Sequence, residues 1–363
     1  MKITVAGGGN SAQTMAADLA LLGHDVTLFD LPEYASSIAA AMSSFTLEKY
    51  GSIDTRGPTG LARLANVTTD LGEAIDGAEA IFIAVPAYAH PTFFEAIGPH
   101  LRPGQIVAIM PGNWGAYRLR RHLLSRGLGE GVYVAETDLC MHICRAAEPF
   151  LGPGKVRVVL ERGAVRLAAV PRADTAHVME RLSPVYPVLQ AAGSVLETSI
   201  NNSNIIAHGP LVLMNAGWLE HTGGDFMIYR DGVTPSVGRV TDAIAKERDA
   251  VAHLFGFPIL STRNTYEDTR NARWVLDPCE IGPPDLKHRY ISEDIPFGLV
   301  PLSSIASTLG LQLPVTNAMI EISNVSNEVD YWADGLTIET LGLPRGGSAE
   351  ILEAVADLGG APK

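Results

Sequence analysis

The sequence predicts an α/β protein in two parts, a doubly wound parallel sheet followed by an all-α domain, and three observations carry that prediction. Residues 1–6 form a short apolar strand that runs straight into Gly7-Gly8-Gly9 and then a helical pattern over 13–22. Continuous apolar runs at 80–85, 105–110 and 132–136 then recur, each stopping at a loop, as strands buried on both faces do. From about Ser183 the pattern changes to long amphipathic helices broken at Pro184, Pro187, Pro235, Pro258 and Pro283-Pro284. At 363 residues the chain also exceeds the size at which single cores stop growing, about 250 to 300 residues. The boundary is expected near residue 190, giving domains 1–190 and 191–363.

The first turn is the phosphate-binding corner of a Rossmann-type dinucleotide fold. Gly7 permits the tight turn, Gly9 lets backbone approach a pyrophosphate, and Ala12 lets helix and strand pack closely. Asn10 and Ser11 open the helix, whose free N–H groups and dipole favour an anion. A second strand over 25–29 ends on Asp30, an acid placed to accept both ribose hydroxyls and to repel a 2'-phosphate. NAD is therefore expected as cofactor, with NADP less favoured. Residues 33–49 read as helix, 66–69 as a short strand and 71–75 as a helical turn. The run at 80–85 should be a central strand whose end, Val85-Pro86, opens at the cofactor. Residues 105–110 repeat the arrangement and stop at Pro111-Gly112-Asn113. Residues 155–160 and 164–170 resemble a hairpin closing one sheet edge.

A net charge of −13 argues against nucleic acid or an anionic membrane as partner. No apolar run is long enough for a bilayer, and a strand starting at Lys2 leaves no room for a leader, so the cytoplasm is expected. Three cysteines suit a reducing compartment. Cys140, His142 and Cys144 alternate and would share one side of a strand. No matching ligand pair occurs elsewhere, so no metal is expected.

In the helical part, Asn201, Asn204, His208 and Asn215 project within roughly 60° of one another on an ideal helix, a polar stripe among Ile205, Ile206, Leu211, Leu213 and Met214. Taken alone, the stripe reads most simply as polar groups bonded to neighbouring helices, with His208 a satisfied core residue. The charged segment 285–294, lying before the apolar run 297–302, supplies acids that could orient a histidine.

At these residues the chain resembles the opine dehydrogenase family, the octopine and nopaline dehydrogenase group. The carriers are Gly7-Gly8-Gly9-Asn10, Val85-Pro86-Ala87 with His90, Glu136-Thr137, and Cys144-Arg145. In the helical part they are His208-Gly209-Pro210 with Asn215, residues 229–236, Glu247-Arg248 and residues 293–301. The resemblance implies reductive condensation of an α-keto acid with the amino group of an amino acid, using NADH, and a helical domain like the C-terminal one of 6-phosphogluconate dehydrogenase. It implies His208 as catalytic histidine, Asp294 as its carboxylate partner and Arg289 as the fork for the keto-acid carboxylate. Gly209, between the histidine and Pro210, departs from the expected pattern.

Asn113, Cys144 and Asn204 are the further expected substrate contacts, in a cleft between the domains. A second copy of the chain is an admitted partner. Two rivals stand beside this reading. A ketopantoate- or hydroxyacid-type reductase would act without an amine, but such enzymes tend to use a lysine, and only Lys246 and Lys287 precede Lys363 in the helical part. A non-catalytic NAD-binding sensor is the other.

Overall fold

The computed structural model describes residues 1–146, 151–258 and 264–358. The chain divides into two compact units, Met1–Val195 and Leu196–Ala356, with Asp357 returning to the first.

The described residues form twelve strands, all in the first unit: β1 Lys2–Ala6, β2 Asp25–Phe29, β3 Thr46–Tyr50, β4 Gly60–Arg63, β5 Asn66–Thr68, β6 Ala80–Ile83, β7 Ile106–Ile109, β8 Tyr133–Thr137, β9 His142–Ala146, β10 Lys155–Glu161, β11 Val165–Val170 and β12 Leu189–Ala191. Eight form one sheet in the order β12-β11-β8-β7-β6-β1-β2-β5. Its pairs are parallel except β11 against β8. All four residues of β6 and of β7 are buried, as expected of strands covered on both faces. The strand order reverses at β1 and β6. A doubly wound sheet opens its ligand crevice at the carboxyl ends of such a pair. Gly7 follows β1 and Val85-Pro86 follows β6, so the expected cofactor residues flank that point.

The other four strands make a second sheet, β4-β3-β10-β9, that the sequence reading lacked. Two expectations fail here. The helix expected over 33–49 is instead a short turn and the helix Ala35–Ser44, ended by Phe45 at φ 55°, after which β3 begins. The hairpin expected over 155–170 is not one, because β10 pairs with β9 and β3 while β11 pairs with β8 in the larger sheet. A buried ion cluster joins this sheet to the helix Asn10–Leu21. Lys49 on β3 binds Asp18 and lies 3.5 Å from Glu161, and His142 lies 3.6 Å from Asp18.

Among the described residues the second unit is helical, apart from one isolated bridge between Met227 and Ile281. Its longest helix, Pro235–Leu254, starts on the Thr234-Pro235 signal, with Thr234 accepting a hydrogen bond from Val237 N. It packs on the helix Asn204–Leu213. The polar stripe is not continuous: Asn201 follows the helix Val195–Ile200, and Asn215 stands just before a separate helix, Ala216–Thr222, without a side-chain cap. Asn204 and His208 remain together, one turn apart on the same helix face.

Candidate active site

The glycine turn is built as its residues require. Gly7 has φ +119°, and a Cβ there would meet Val85 Cγ1 at 2.8 Å and Ala84 O at 2.9 Å. Any side chain would therefore wedge the turn away from the strand beside it. Gly8 is bare for a different reason, since its Cβ would lie 2.5 Å from Asp30 Oδ2 and closer still to Ser37 Oγ. A Cβ on Gly9 would meet no protein atom within 4 Å. Open space faces that backbone, and the helix Asn10–Leu21 that follows has no side-chain cap. Uncapped N–H groups beside an open glycine fit a pyrophosphate.

Asp30 directly follows β2 and is 4% exposed. Its Oδ2 accepts from Ser37 Oγ at 2.7 Å and its Oδ1 from Leu31 N at 2.9 Å. Burial raises its pKa above the ordinary aspartate value, against the pull of those hydrogen bonds. Asn10 and Ser11 turn their side chains to the protein: Asn10 Oδ1 accepts from Ala146 N at 3.0 Å, and Cys140 Sγ lies 3.4 Å from Ser11 Oγ. Their backbone N–H groups are what remains for an anion. Gln13 locks the turn, its Nε2 donating to Gly8 O at 2.7 Å and Ser37 O at 3.1 Å. The sequence reading missed Gly8, Gln13 and Ser37. All three secure Asp30 and the turn from behind.

Asn113 and Trp114 are consecutive residues in the left-handed region, φ 46° and 68°, and both are buried. That conformation costs a non-glycine residue about 1 to 3 kcal/mol, so surrounding structure must hold it. Cys144 is buried on β9.

In the second unit His208 and Asp294 come together from 86 residues apart, Nδ1 to Oδ2 at 2.6 Å. Their side chains are 8% and 5% exposed. A carboxylate only accepts, so Nδ1 carries a proton and Nε2 is the nitrogen left to gain or lose one. Tyr229 Oη lies 3.2 Å from Nε2, and the Tyr290 ring stacks on the imidazole with centroids 3.8 Å apart. Neither tyrosine was assigned a role from sequence, although Tyr229 opens the run 229–236 and Tyr290 sits in the charged segment.

Two local features allow this meeting. A Cβ on Gly298 would lie 2.3 Å from Ile205 Cγ2, so only glycine lets the His208 helix approach so closely. At Asp294 the helical ladder widens, with Leu299 N donating to Asp294 O, five residues back, at 2.9 Å. Such single wide turns gather at functional sites. Gly209, the departure from the family pattern, sits under Met319, whose Cγ would be 3.1 Å from an added Cβ. Asn204 opens the helix, its N–H bonded to Asn202 Oδ1. Arg289, 40% exposed in its side chain, holds Glu293 at 3.4 Å and lies over the Tyr290 ring.

Among the described residues one group of potential metal ligands occurs, Asp18, His142 and Glu161. The Lys49 ammonium already bridges the two acids, filling a cation's role. Cys140 and Cys144 are not in the group.

Residues 191–327 match the family described as NAD/NADP octopine/nopaline dehydrogenase, alpha-helical domain. Residues 2–110 match NADP oxidoreductase coenzyme F420-dependent. The chain is 31% identical to an opine dehydrogenase of Arthrobacter sp. (strain 1C), over 97% of this chain and 98% of that one. It is 28% identical to a tauropine dehydrogenase of Arabella iricolor, covering 92% and 93%. Among solved structures, an octopine dehydrogenase in complex with NADH and agmatine superposes with a TM-score of 0.72 at 19% identity, covering 98% of this chain and 97% of that one. A relative 31% identical over nearly the full length of both chains leaves one conclusion: the chain belongs to the opine dehydrogenase family, oxidoreductases that reductively join an α-keto acid to the amino group of an amino acid.

Proposed function

We propose that His208 is the general acid and base of this reaction, that Asp294 holds it, and that Arg289 receives the keto-acid carboxylate. The observation that carries the reading is the buried 2.6 Å pair between His208 Nδ1 and Asp294 Oδ2. With Nδ1 committed to the carboxylate, proton exchange is left to Nε2. The amino group adds to the keto carbon, and the His208 imidazolium gives its Nε2 proton to the resulting hydroxyl, which leaves as water. Asp294 stabilises the imidazolium before that transfer and fixes the ring's tautomer after it. Arg289 has the planar fork that pairs with a carboxylate, which lysine cannot reproduce.

The glycine turn would hold NADH, which when bound would supply the hydride for the imine carbon. Support for NADH there comes from the open backbone at Gly9, the uncapped helix start and the buried Asp30 behind Gly8. Gly7, Asn10, Ser11, Ala12, Val85 and Pro86 complete the cofactor set in this reading. Asn113, Cys144 and Asn204 are its remaining substrate contacts. Three cysteines are too few for a disulfide framework, which suits a cytoplasmic enzyme. Among the described residues no helix is long and apolar enough to cross a membrane.

The test is His208→Asn, assayed for NADH consumption with an α-keto acid, with and without an amino acid. Wild-type oxidation should need both substrates. The variant should lose about 10² to 10⁴ in kcat while binding NADH as before. Wild-type oxidation independent of the amine would favour the simple reductase, and a fully active variant would remove His208 from the chemistry.

A further inference from the structure

We propose that Tyr229 is a positioning residue for His208, its hydroxyl being the resting partner of the imidazole nitrogen that exchanges the proton. The proposal rests on the reading of His208 as general acid and base. The ring is held on three sides. Asp294 takes Nδ1, the Tyr290 ring covers one face at an interplanar angle of 19°, and Tyr229 Oη meets Nε2 at 3.2 Å. A carboxylate at Nδ1 and a ring against one face still leave the imidazole free to tilt about its bond to the chain. A hydroxyl 3.2 Å from Nε2 restrains that tilt, because with the proton on Nδ1 the phenol O–H can donate to the Nε2 lone pair.

The two tyrosines do different work. Tyr229 Oη and Tyr290 Oη are 3.5 Å apart, beyond the usual 2.5 to 3.0 Å range for O–H···O, so Tyr290 acts on His208 through its ring rather than through a hydroxyl chain. Tyr229 is itself held by Trp274, edge to face with centroids 4.9 Å apart, and it lies on the short helix Ile228–Gly232. Glycine at 232 lets Asn215 pack beneath that helix, its Nδ2 donating to Gly232 O at 3.0 Å. The same Nδ2 donates to Leu211 O on the His208 helix at 2.8 Å, which assigns a task to Asn215, one of the expected polar residues. It anchors the segment that presents Tyr229.

The substrate hydroxyl that accepts the proton must meet Nε2 where Tyr229 Oη now lies or share that nitrogen with it. The hydroxyl thus aims the nitrogen and cedes it to the substrate.

The test compares Tyr229→Phe with Tyr290→Phe and His208→Asn in the full-length protein, using NADH, an α-keto acid and an amino acid. Loss of the group that aims Nε2 should cost Tyr229→Phe about 10-fold or more in kcat through misalignment of that nitrogen, with KM for the keto acid changed far less. Tyr290→Phe, which keeps the ring, should lose less. The 15N resonance of His208 Nε2 should move in Tyr229→Phe, a signature that loose packing alone would not give. Wild-type kcat and an unmoved resonance in Tyr229→Phe, beside an inactive His208→Asn, would overturn the proposal and leave the catalytic assignment standing. An active His208→Asn would remove the catalytic assignment itself.

Discussion

Replacing Asp294 with asparagine keeps the shape of the side chain and removes its charge. The pair it breaks is buried, with 8% and 5% of the two side chains exposed, so water screens it little. A hydrogen bond to a charged partner contributes about 1.5 to 3 kcal/mol, and each 1.36 kcal/mol is tenfold in rate. Loss of charge alone therefore predicts about a 10- to 150-fold fall in kcat. The amide adds a second effect. Its N–H groups can donate to Nδ1, which drives the proton of the neutral ring to Nε2 and removes the acceptor needed in the oxidative direction. The total should lie between about 10² and 10⁴, the range for losing general acid–base catalysis. The assay is steady-state NADH consumption with both substrates, with NADH titrated separately and the melting temperature measured. Asp294→Asn retaining more than about half of wild-type kcat, with affinity and melting unchanged, would refute the role assigned to the pair.

Other changes follow from the same geometry. Gly9→Ala should melt as the wild type does yet bind NADH more weakly, because the added methyl meets only the open space, whereas Gly7→Ala should also lower the melting temperature through strain and the contact with Val85. Gly298→Ala should lower kcat by separating the Asp294 segment from the helix at Ile205, and unchanged kinetics would show that approach to be unimportant. Lys49→Met strands Asp18 and Glu161 in the interior and should cost about 3 to 5 kcal/mol in denaturant unfolding. His90 is fully buried, and burial holds its pKa down to about 3 from 6.5. The unfolded chain then binds the proton that the native state refuses, so stability rises with pH between about 3 and 6.5 and is complete above it, a contribution of up to roughly 5 kcal/mol. The difference in unfolding free energy between wild type and His90→Phe should follow that window, and a pH-independent difference would sink the assignment.

The glycine turn, the acid at the end of β2 and the buried runs of β6 and β7 were readable because each follows from local pattern: a turn that needs bare backbone, or strands covered on both faces. The second sheet was not. The helix Ala35–Ser44 stops at Phe45, which adopts a left-handed conformation with neither glycine nor proline to announce it, so β3 read as more helix. β10 and β11 have the sequence of a hairpin, and only the partners offered by β9 and β8 send them to different sheets. In the site, His208 and Asp294 were reached through the family resemblance, since nothing local links positions 86 apart. Tyr229 and Tyr290 escaped because their roles are set by where three separate segments cross.

The wide turn at Asp294 has a consequence for what this segment tolerates. Residues 295 to 299 are Ile, Pro, Phe, Gly and Leu, none able to do acid–base chemistry, and yet they fix the phase between Asp294 and the helix Val300–Thr308. A helix turns by about 100° per residue, so deleting any one of them to restore regular winding would swing the carboxylate about a quarter of the way round the axis. The histidine would lose its partner although no functional side chain had been touched. Segment length, as much as side-chain identity, is under constraint there.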